Sequence, residues 1–290
     1  MSDAPQSATL GALVRWGASR LPASPTPMLD ARVLAKAAFA LDDAALIAAG
    51  DEAPAQDDAC RYAAMIERRG RNEPVAHIIG RREFWSLEIE VKPGILVPRA
   101  DSETLIEAVV RRRARGAPLS IIDLGCGSGA LLCALLGEFP AATGLGVDID
   151  PEAAALTERN LQRLGFSGRA RAVRGNWFDG IDARFDVLIS NPPYIRTADR
   201  DALSREVRDF ESATALFAGV DGLDAFRAIL SAAPARLASA GLAVLEFGAG
   251  QAQAVNEIAM AAFPAAQIAL ENDLSGRPRA AIIDLCPAAH

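Results

Sequence analysis

Residues 121–129 read Ile-Ile-Asp-Leu-Gly-Cys-Gly-Ser-Gly, an apolar run that passes into three glycines at alternate positions. The apolar part predicts a buried strand, and the apolar residues that follow Gly129 predict a helix, so the glycines lie in the loop between them. Glycine lets the backbone approach a ligand closely, and the helix N-terminus offers free N–H groups to an anion. The stretch therefore predicts an α/β fold with a ligand site where a strand ends.

Strand and helix patterns alternate from Ser120 to near the end of the chain, which is typical of a mostly parallel sheet with helices on both faces. Only a short segment, residues 272–277, joins the last two strands, so we expect them to pair as an antiparallel hairpin. Seven strands are predicted near residues 120–124, 143–148, 170–174, 184–190, 242–247, 266–271 and 279–285. Helices are predicted near residues 129–138, 151–163, 222–238 and 250–262.

The first part of the chain, residues 1–75, predicts a small all-helical domain. Apolar residues recur there at helical spacing, and prolines and glycines separate the segments. This composition leaves two roles open, a domain that docks the substrate or a structural cap. One apolar stripe is formed by Leu29, Val33, Leu34, Ala37 and Leu41.

Residues 76–98 predict a β-hairpin that links this helical domain to a catalytic domain over residues 99–290. Apolar and charged residues alternate over residues 87–91, as in a half-buried strand. Pro93-Gly94 predicts a turn, and residues 95–97 are predicted to return as the second strand.

Two acidic residues indicate the chemistry of the ligand. Asp123 precedes the glycines, where its carboxylate would repel a diphosphate and attract an ammonium group. A ligand with both an amino and a carboxylate group fits better, and the methionine part of S-adenosyl-L-methionine has both. Asp148 ends the second strand, where an acid can accept hydrogen bonds from both hydroxyls of a ribose.

An amide and an indole follow the third strand, as Asn176 and Trp177. They could read and cover an adenine, although an ordinary core position for Trp177 is equally compatible with the sequence. The predicted cofactor-binding residues are Gly125, Cys126, Gly127, Ser128, Gly129, Asp148, Asn176, Trp177 and Asn191.

The predicted catalytic residues, Asn191, Pro192, Pro193 and Tyr194, follow the fourth strand. A proline restricts the residue before it, so Asn191 is held in extended backbone with a narrow range of side-chain directions. The side-chain oxygen of Asn191 and the carbonyl oxygen of Pro192 are two acceptors on a stiff backbone. Such a clamp suits an NH2 group held by both hydrogens, with the Tyr194 ring packed on the group that carries it. The alternative is an Asn-Pro turn that closes a strand.

The composition limits the classes of function. The 290 residues carry a formal net charge of −7, which disfavours a nucleic acid as the direct partner. No apolar run has the length of a membrane span and no export signal follows Met1, so we expect a cytoplasmic protein without a membrane partner. Four cysteines without CxxC spacing agree with a reducing compartment. Two histidines, His77 and His290, are too few for a histidine-based zinc site, and no metal is predicted.

The glycine loop, Asp148 and the Asn191–Tyr194 motif resemble those of class I S-adenosylmethionine-dependent methyltransferases that act on amino or amide nitrogen. DNA adenine-N6 and cytosine-N4 methyltransferases share the motif, so it does not fix the substrate. The flanking segments make the chain similar to the HemK/PrmC family over nearly its whole length. Those segments are residues 80–85 (Gly-Arg-Arg-Glu-Phe-Trp), 97–103 (Val-Pro-Arg-Ala-Asp-Ser-Glu), 221–223 (Asp-Gly-Leu) and 245–248 (Leu-Glu-Phe-Gly).

The resemblance implies a Rossmann-like methyltransferase that modifies N5 of the glutamine in the Gly-Gly-Gln motif of class 1 peptide chain release factors. Residues 98–103 favour this branch over enzymes that methylate a ribosomal protein glutamine. A DNA or RNA amino-methyltransferase and a non-catalytic cofactor-binding module are two further functions compatible with the motifs. The chain departs from the family pattern at four positions. Ala100 replaces the usual proline, Ser102 the usual threonine, Asn176 an aspartate and Ser212 a proline.

Overall fold

The computed structural model describes residues 8–273 and 275–286. By contacts between residues, the described chain divides into two compact units. The first consists of the residues up to Arg81 together with Ser204–Phe210, and the second consists of Arg82–Leu203 and the residues from Glu211 onward. Within the described residues, no helix is both long enough and apolar enough to cross a bilayer.

The first unit is helical. Its core surrounds Tyr62, which is completely buried and lies with Ala63 and Ile66 on the inward face of its helix. A Cβ atom on Gly17 would come within 2.1 Å of the Tyr62 hydroxyl, so this glycine allows two helices to pack closely. The helices are α1 (Leu10–Ser19), α2 (Pro27–Phe39), α3 (Asp43–Ala48), α4 (Gln56–Gly70), α5 (Val75–Ile79) and α9 (Arg205–Phe210).

The buried face of α2 differs from the predicted stripe. Leu34 is buried, but Leu29 is 58% exposed. The remaining buried apolar positions of α2 are all alanines, Ala31, Ala35 and Ala38. The prediction was wrong at Leu29 because it weighted large side chains, whereas small side chains let a helix approach its neighbours closely.

A buried ion pair joins α2 to α4 in the first unit. Arg69 Nε donates to Asp30 Oδ2 at 2.7 Å, and both side chains are at most 10% exposed. The second oxygen of Asp30 accepts from the Thr26 hydroxyl at 3.1 Å. A second carboxylate, Glu206 on α9, accepts from Arg69 Nη1 at 3.1 Å. The Arg69 guanidinium is therefore buried with two carboxylates as partners.

The second unit contains a seven-stranded sheet. In sequence numbering the strand order is β5-β4-β3-β6-β7-β9-β8. The pairs from β5 to β7 are parallel, whereas β9 is antiparallel to both β7 and β8, so the predicted C-terminal hairpin is confirmed. The strands are β3 (Ser120–Leu124), β4 (Thr143–Asp148), β5 (Ala170–Arg174), β6 (Phe185–Ser190), β7 (Leu237–Glu246), β8 (Gln267–Asn272) and β9 (Pro278–Asp284).

Helices connect these strands, and the side chains between them and the sheet form the main core, with Phe226 and Phe247 among its fully buried members. The seven-stranded, mostly parallel α/β sheet predicted from the sequence is confirmed. The helices are α6 (Glu103–Arg112), α7 (Ala130–Glu138), α8 (Pro151–Arg163), α10 (Ala213–Leu216), α11 (Asp224–Arg236) and α12 (Ala252–Ala262).

A separate hairpin precedes the sheet, with β1 (Arg81–Phe84) paired to β2 (Leu87–Glu90). Trp85 and Ser86 form its turn, with φ of +51° and +59°. This left-handed pair matches the twist of two paired strands. The strand predicted over residues 87–91 is therefore present as β2. Its partner is β1, which precedes it in the chain, so the prediction of a return strand at residues 95–97 is wrong. Proline at position 93 lacks the N–H group that a continued ladder would need.

Candidate active site

A cavity of about 340 Å³ lies where β3, β4, β5 and β6 end. The segments after these four strands come together there because parallel strands end at the same edge of a sheet. Among the predicted site residues, the cavity is lined by Gly125, Cys126, Gly127, Ser128, Asp148, Asn176, Trp177, Asn191 and Pro193. The lining does not include the other three, Gly129, Pro192 and Tyr194.

The three glycines of the loop have different roles. Gly125 and Gly127 line the cavity. Their φ angles are +70° and +57°, a backbone region that residues other than glycine rarely adopt. Gly129 precedes α7 with φ +76°, and a Cβ there would lie 2.7 Å from a methyl group of Thr157. Gly129 therefore allows the loop to pack closely against α8, which explains why it does not line the cavity.

Asp148 connects the end of β4 to the glycine loop. Its Oδ2 accepts from the Gly127 N–H and its Oδ1 from the Asp150 N–H, both at 2.9 Å. Each carboxylate oxygen keeps a further lone pair, so the group can still accept from two hydroxyls of a ligand. Burial raises the pKa of Asp148 above its ordinary value.

Asp123 is completely buried below the glycine loop and is not part of the cavity lining, so the expectation of a carboxylate beside the ligand is not met at the cavity surface. Neither of its oxygens accepts a hydrogen bond of ordinary geometry among the described residues, although the backbone N–H of Leu132 partly offsets the effect of burial on its pKa. Burial raises the pKa of Asp123 to about 7. A buried carboxyl group is costly for the folded chain when it is ionised.

Asn176 and Trp177 form the side of the cavity after β5. Asn176 Nδ2 donates to Asp179 Oδ2 at 3.3 Å, which leaves the amide oxygen of Asn176 as an acceptor. Trp177 lines the cavity and also packs against the main core, with φ of +51°. The sequence left open whether Trp177 covers a ligand or packs in the core. In the structure the indole does both, since it lines the cavity and packs against the main core.

Asn191 lies immediately beyond β6 and next to the glycine loop. The Ser190 hydroxyl donates to the Leu124 carbonyl at 2.6 Å, which ties the end of β6 to the end of β3. Asn191 Nδ2 donates to Ser102 Oγ at 3.2 Å. One N–H of the Asn191 amide is engaged in this way, and within the described part of the chain its Oδ1 accepts no hydrogen bond, so Oδ1 is available to a ligand.

Tyr194 is held behind this site by two glycines and a glutamine. A Cβ on Gly222 would lie 2.4 Å from the Tyr194 carbonyl oxygen, and a Cβ on Gly248 would lie 2.8 Å from the Tyr194 ring. Gln251 Nε2 donates to the Tyr194 carbonyl at 2.9 Å, and the tyrosine hydroxyl donates to Glu246 Oε1 at 3.4 Å. The residues that sequence reasoning placed in flanking motifs, 221–223 and 245–248, thus fix the position of Tyr194.

Two further segments border the cavity. Gly94 and Glu211 form a β-bridge, and the buried carboxylate of Glu211 pairs with Arg99. The bridge brings Ile95 and Ser212 to the cavity lining. The sequence placed Gly94 and Ile95 in the hairpin linker and used Arg99 and Ser212 only for the resemblance, so none of them was assigned to the site.

Comparisons with known proteins agree with this geometry. Residues 12–80 match the family profile described as PrmC N-terminal domain, and residues 100–215 match the profile described as Methyltransferase small domain. The chain is 42% identical to the "Release factor glutamine methyltransferase" of Rhodospirillum rubrum, over 88% of this chain and 79% of that protein. The chain belongs to the release factor glutamine methyltransferase family. The protein of the same name from Bradyrhizobium diazoefficiens is 40% identical, over 87% and 86% of the two chains.

The fold of this family member also occurs in more distant proteins. A crystal structure described as a methyltransferase from Pyrococcus furiosus superposes with a TM-score of 0.53 at 17% identity, over 76% of this chain and 98% of that one. At this identity the likeness concerns the fold alone.

The cavity of this release factor glutamine methyltransferase family member fits a nucleoside joined to an amino acid. The glycine loop gives a backbone cradle, Asp148 gives acceptors for hydroxyls, and Trp177 gives a flat wall. Ser102 and Glu246 are parts of the site that sequence reasoning missed. Ser102 contacts Asn191, and Ser102 Oγ donates to Glu246 Oε2 at 2.5 Å.

Proposed function

We propose that the chain transfers a methyl group from S-adenosyl-L-methionine to N5 of the glutamine in the Gly-Gly-Gln motif of class 1 peptide chain release factors. The observation that carries this proposal is the position of Asn191. Its amide lines the same cavity as the glycine loop and keeps Oδ1 as an acceptor. The names of the similar bacterial proteins support the same substrate.

The residues of the cavity would hold the cofactor in three places. Gly125, Gly127 and Ser128 would contact the methionine part, Asp148 the ribose, and Asn176 with Trp177 the adenine. When bound, S-adenosyl-L-methionine supplies a methyl group on a positively charged sulfur, which makes that methyl electrophilic.

Asn191 and Pro192 would orient the substrate amide. An amide nitrogen is a poor nucleophile because its lone pair is delocalised into the carbonyl group. Asn191 Oδ1 would accept one of the two N–H hydrogens, which stabilises the positive charge that develops on nitrogen. The Pro192 carbonyl oxygen, the second predicted acceptor, belongs to a residue outside the cavity lining, so its part rests on the sequence motif alone. Holding two reactants in line contributes about 7–11 kcal/mol in well-aligned systems.

The fate of the proton requires no strong base from the chain. The nitrogen of an N-methylated amide cation is acidic and loses its proton readily. Tyr194, which sequence reasoning placed on the substrate side chain, lies outside the cavity lining and instead supports the Asn191 loop through its contacts with Gly222, Gly248 and Gln251. We therefore assign Tyr194 a positioning role.

The helical unit and the compartment complete the proposal. The first unit has its own core, and none of its described residues is among those that line the cavity, so we assign it to docking of the release factor. The four cysteines are free thiols, which fits a reducing compartment such as the cytoplasm.

A methyl-transfer assay tests the substrate. Labelled S-adenosyl-L-methionine is offered with a release factor, with the same factor lacking the glutamine of its Gly-Gly-Gln motif, with ribosomal proteins, and with duplex DNA. We expect label on the intact factor only. Label on DNA or on a ribosomal protein, but not on the factor, would overturn the substrate assignment.

The variant Asn191→Ala tests the site. It should abolish transfer while the cofactor Kd, measured by calorimetry, stays within a few fold of the parent value. A parallel loss of cofactor binding would show that Asn191 is mainly a cofactor ligand.

A further inference from the structure

A buried carboxylate lies behind Asn191. Glu246 ends β7 and is 1% exposed. Ser190 of β6 pairs with Leu245 of β7, so Asn191 and Glu246 each lie one residue further along neighbouring parallel strands. Burial raises the pKa of Glu246, and the hydrogen bond from Ser102 and the Arg279 guanidinium oppose that effect by stabilising the carboxylate.

Glu246 accepts hydrogen bonds from two hydroxyl groups. Ser102 Oγ donates to its Oε2 at 2.5 Å, and the Tyr194 hydroxyl donates to its Oε1 at 3.4 Å. Both hydrogen bonds run from a hydroxyl to the carboxyl group, as they must when Glu246 is ionised, and the Arg279 guanidinium favours that ionised form.

The hydrogen bond between Ser102 and Glu246 also determines the direction of the hydrogen bond between Ser102 and Asn191. A serine hydroxyl has one hydrogen, and because Ser102 gives it to Glu246, Ser102 can only accept from its second neighbour. That neighbour is Asn191 Nδ2, at 3.2 Å. The reversed amide would bring Oδ1 against the lone pairs of Ser102 and present an NH2 group to the cavity.

We propose that Glu246 and Ser102 are positioning residues that fix the side-chain amide of Asn191 with its oxygen toward the substrate nitrogen. The inference rests on the proposed function, in which Asn191 Oδ1 accepts a hydrogen from the substrate amide. An amide in the opposite orientation would present hydrogens to the hydrogens of the substrate. Ser102 lines the cavity and Glu246 lies outside its lining, so the pair sets the orientation of the Asn191 amide from one edge of the site.

Ser102 variants give the clearest kinetic test. Ser102→Ala removes the acceptor and frees the Asn191 amide to rotate, whereas Ser102→Thr keeps the hydroxyl. We expect Ser102→Ala to lower kcat by about 100-fold, comparable with removal of one preorganised hydrogen-bonding group in other enzymes. Its cofactor Kd should stay within about threefold of the parent value. Ser102→Thr should restore kcat relative to Ser102→Ala.

Glu246→Met tests the other end of the network. Methionine has a similar length but only a weak acceptor in its sulfur, so Ser102 can turn its hydrogen toward Asn191 Oδ1 and favour the reversed amide. We expect the same pattern as for Ser102→Ala, a fall in kcat with little change in cofactor Kd. Glu257→Gln, an exposed glutamate on α12, is the control for loss of a carboxylate. If Glu246→Met fails to fold, Ser102→Ala alone decides.

A spectroscopic measurement separates this inference from the proposed function. The Asn191 side-chain NH2 resonance, assigned by its loss in Asn191→Ala, should exchange with solvent slowly in the parent chain and faster in Ser102→Ala. That result supports the network even if no release factor is methylated. Unchanged exchange and unchanged kcat in Ser102→Ala would overturn it. A fall in kcat that Ser102→Thr does not reverse would also overturn it.

Discussion

The buried carboxyl group of Asp123 predicts how stability depends on pH. Its pKa is about 7 in the folded chain and close to the ordinary value of 3.8 in the unfolded chain. The folded chain therefore keeps a proton that the unfolded chain releases, so the contribution of this group to stability is lost as pH rises from about 4 to above about 7. The whole difference corresponds to about 4 kcal/mol, of which roughly 2.5 kcal/mol is lost between about pH 5 and pH 8.

The variant Asp123→Asn removes this titration. Asparagine introduces two buried donors at a cost of about 1–3 kcal/mol, but that cost does not change with pH. The informative quantity is therefore the change in Tm between about pH 5 and pH 8, compared for parent and variant. The parent Tm should fall by about 5–10 °C more than that of Asp123→Asn over this interval.

Thermal unfolding followed by circular dichroism measures this difference. Asp182, whose side chain is 98% exposed, gives the matched control Asp182→Asn. The Tm of this variant should fall between about pH 5 and pH 8 by as much as the Tm of the parent. If the Tm of Asp123→Asn falls over this pH range as much as that of the parent, Asp123 does not titrate in the range and the reasoning from its burial is refuted.

Three further predictions concern the cofactor site and the helical unit. Asp148→Ala removes the carboxylate that accepts a hydrogen bond from the Gly127 N–H and that would accept from the hydroxyls of the ligand. The cofactor Kd, measured by calorimetry, should rise by at least about tenfold. Leu34→Ala should destabilise the helical unit by about 2–5 kcal/mol in urea unfolding, whereas exposed Leu29→Ala should change it by less than about 0.5 kcal/mol. Asp30→Ala should cost about 3–5 kcal/mol because Arg69 loses its buried partner, and a cost below about 1 kcal/mol would contradict that pairing.

Most of the sheet could be predicted from the sequence because each strand carries its own local signal. Six of the seven predicted strands agree with the structure to within a residue at either end. The exception, β7, starts at Leu237, and its first residues, through Gly241, carry no strand pattern. Pairing of Leu237 with Phe185 across an irregularity extends the strand, and only the folded sheet supplies that partner.

The site was predictable where the ligand chemistry is local and unpredictable where it depends on distant contacts. The glycine loop, Asp148 and Asn191 each follow a strand, so their shared edge could be deduced. The hydrogen bond from Ser102 to Glu246 joins residues 144 positions apart, and no spacing indicates it. The segment over residues 195–217 has no clear periodicity, and its short helices were not predicted.

The strand order has a consequence for synthesis of the chain. β9 lies between β7 and β8, so the seven-stranded sheet closes only after residues 278–284 have left the ribosome. Until then the nascent chain presents the edge of β7, whose residues Leu242–Glu246 are all buried in the finished fold. An apolar strand edge of this kind pairs readily with other chains. A chain that ends just before Pro278 therefore keeps this edge open, and we expect it to aggregate more readily than the full chain.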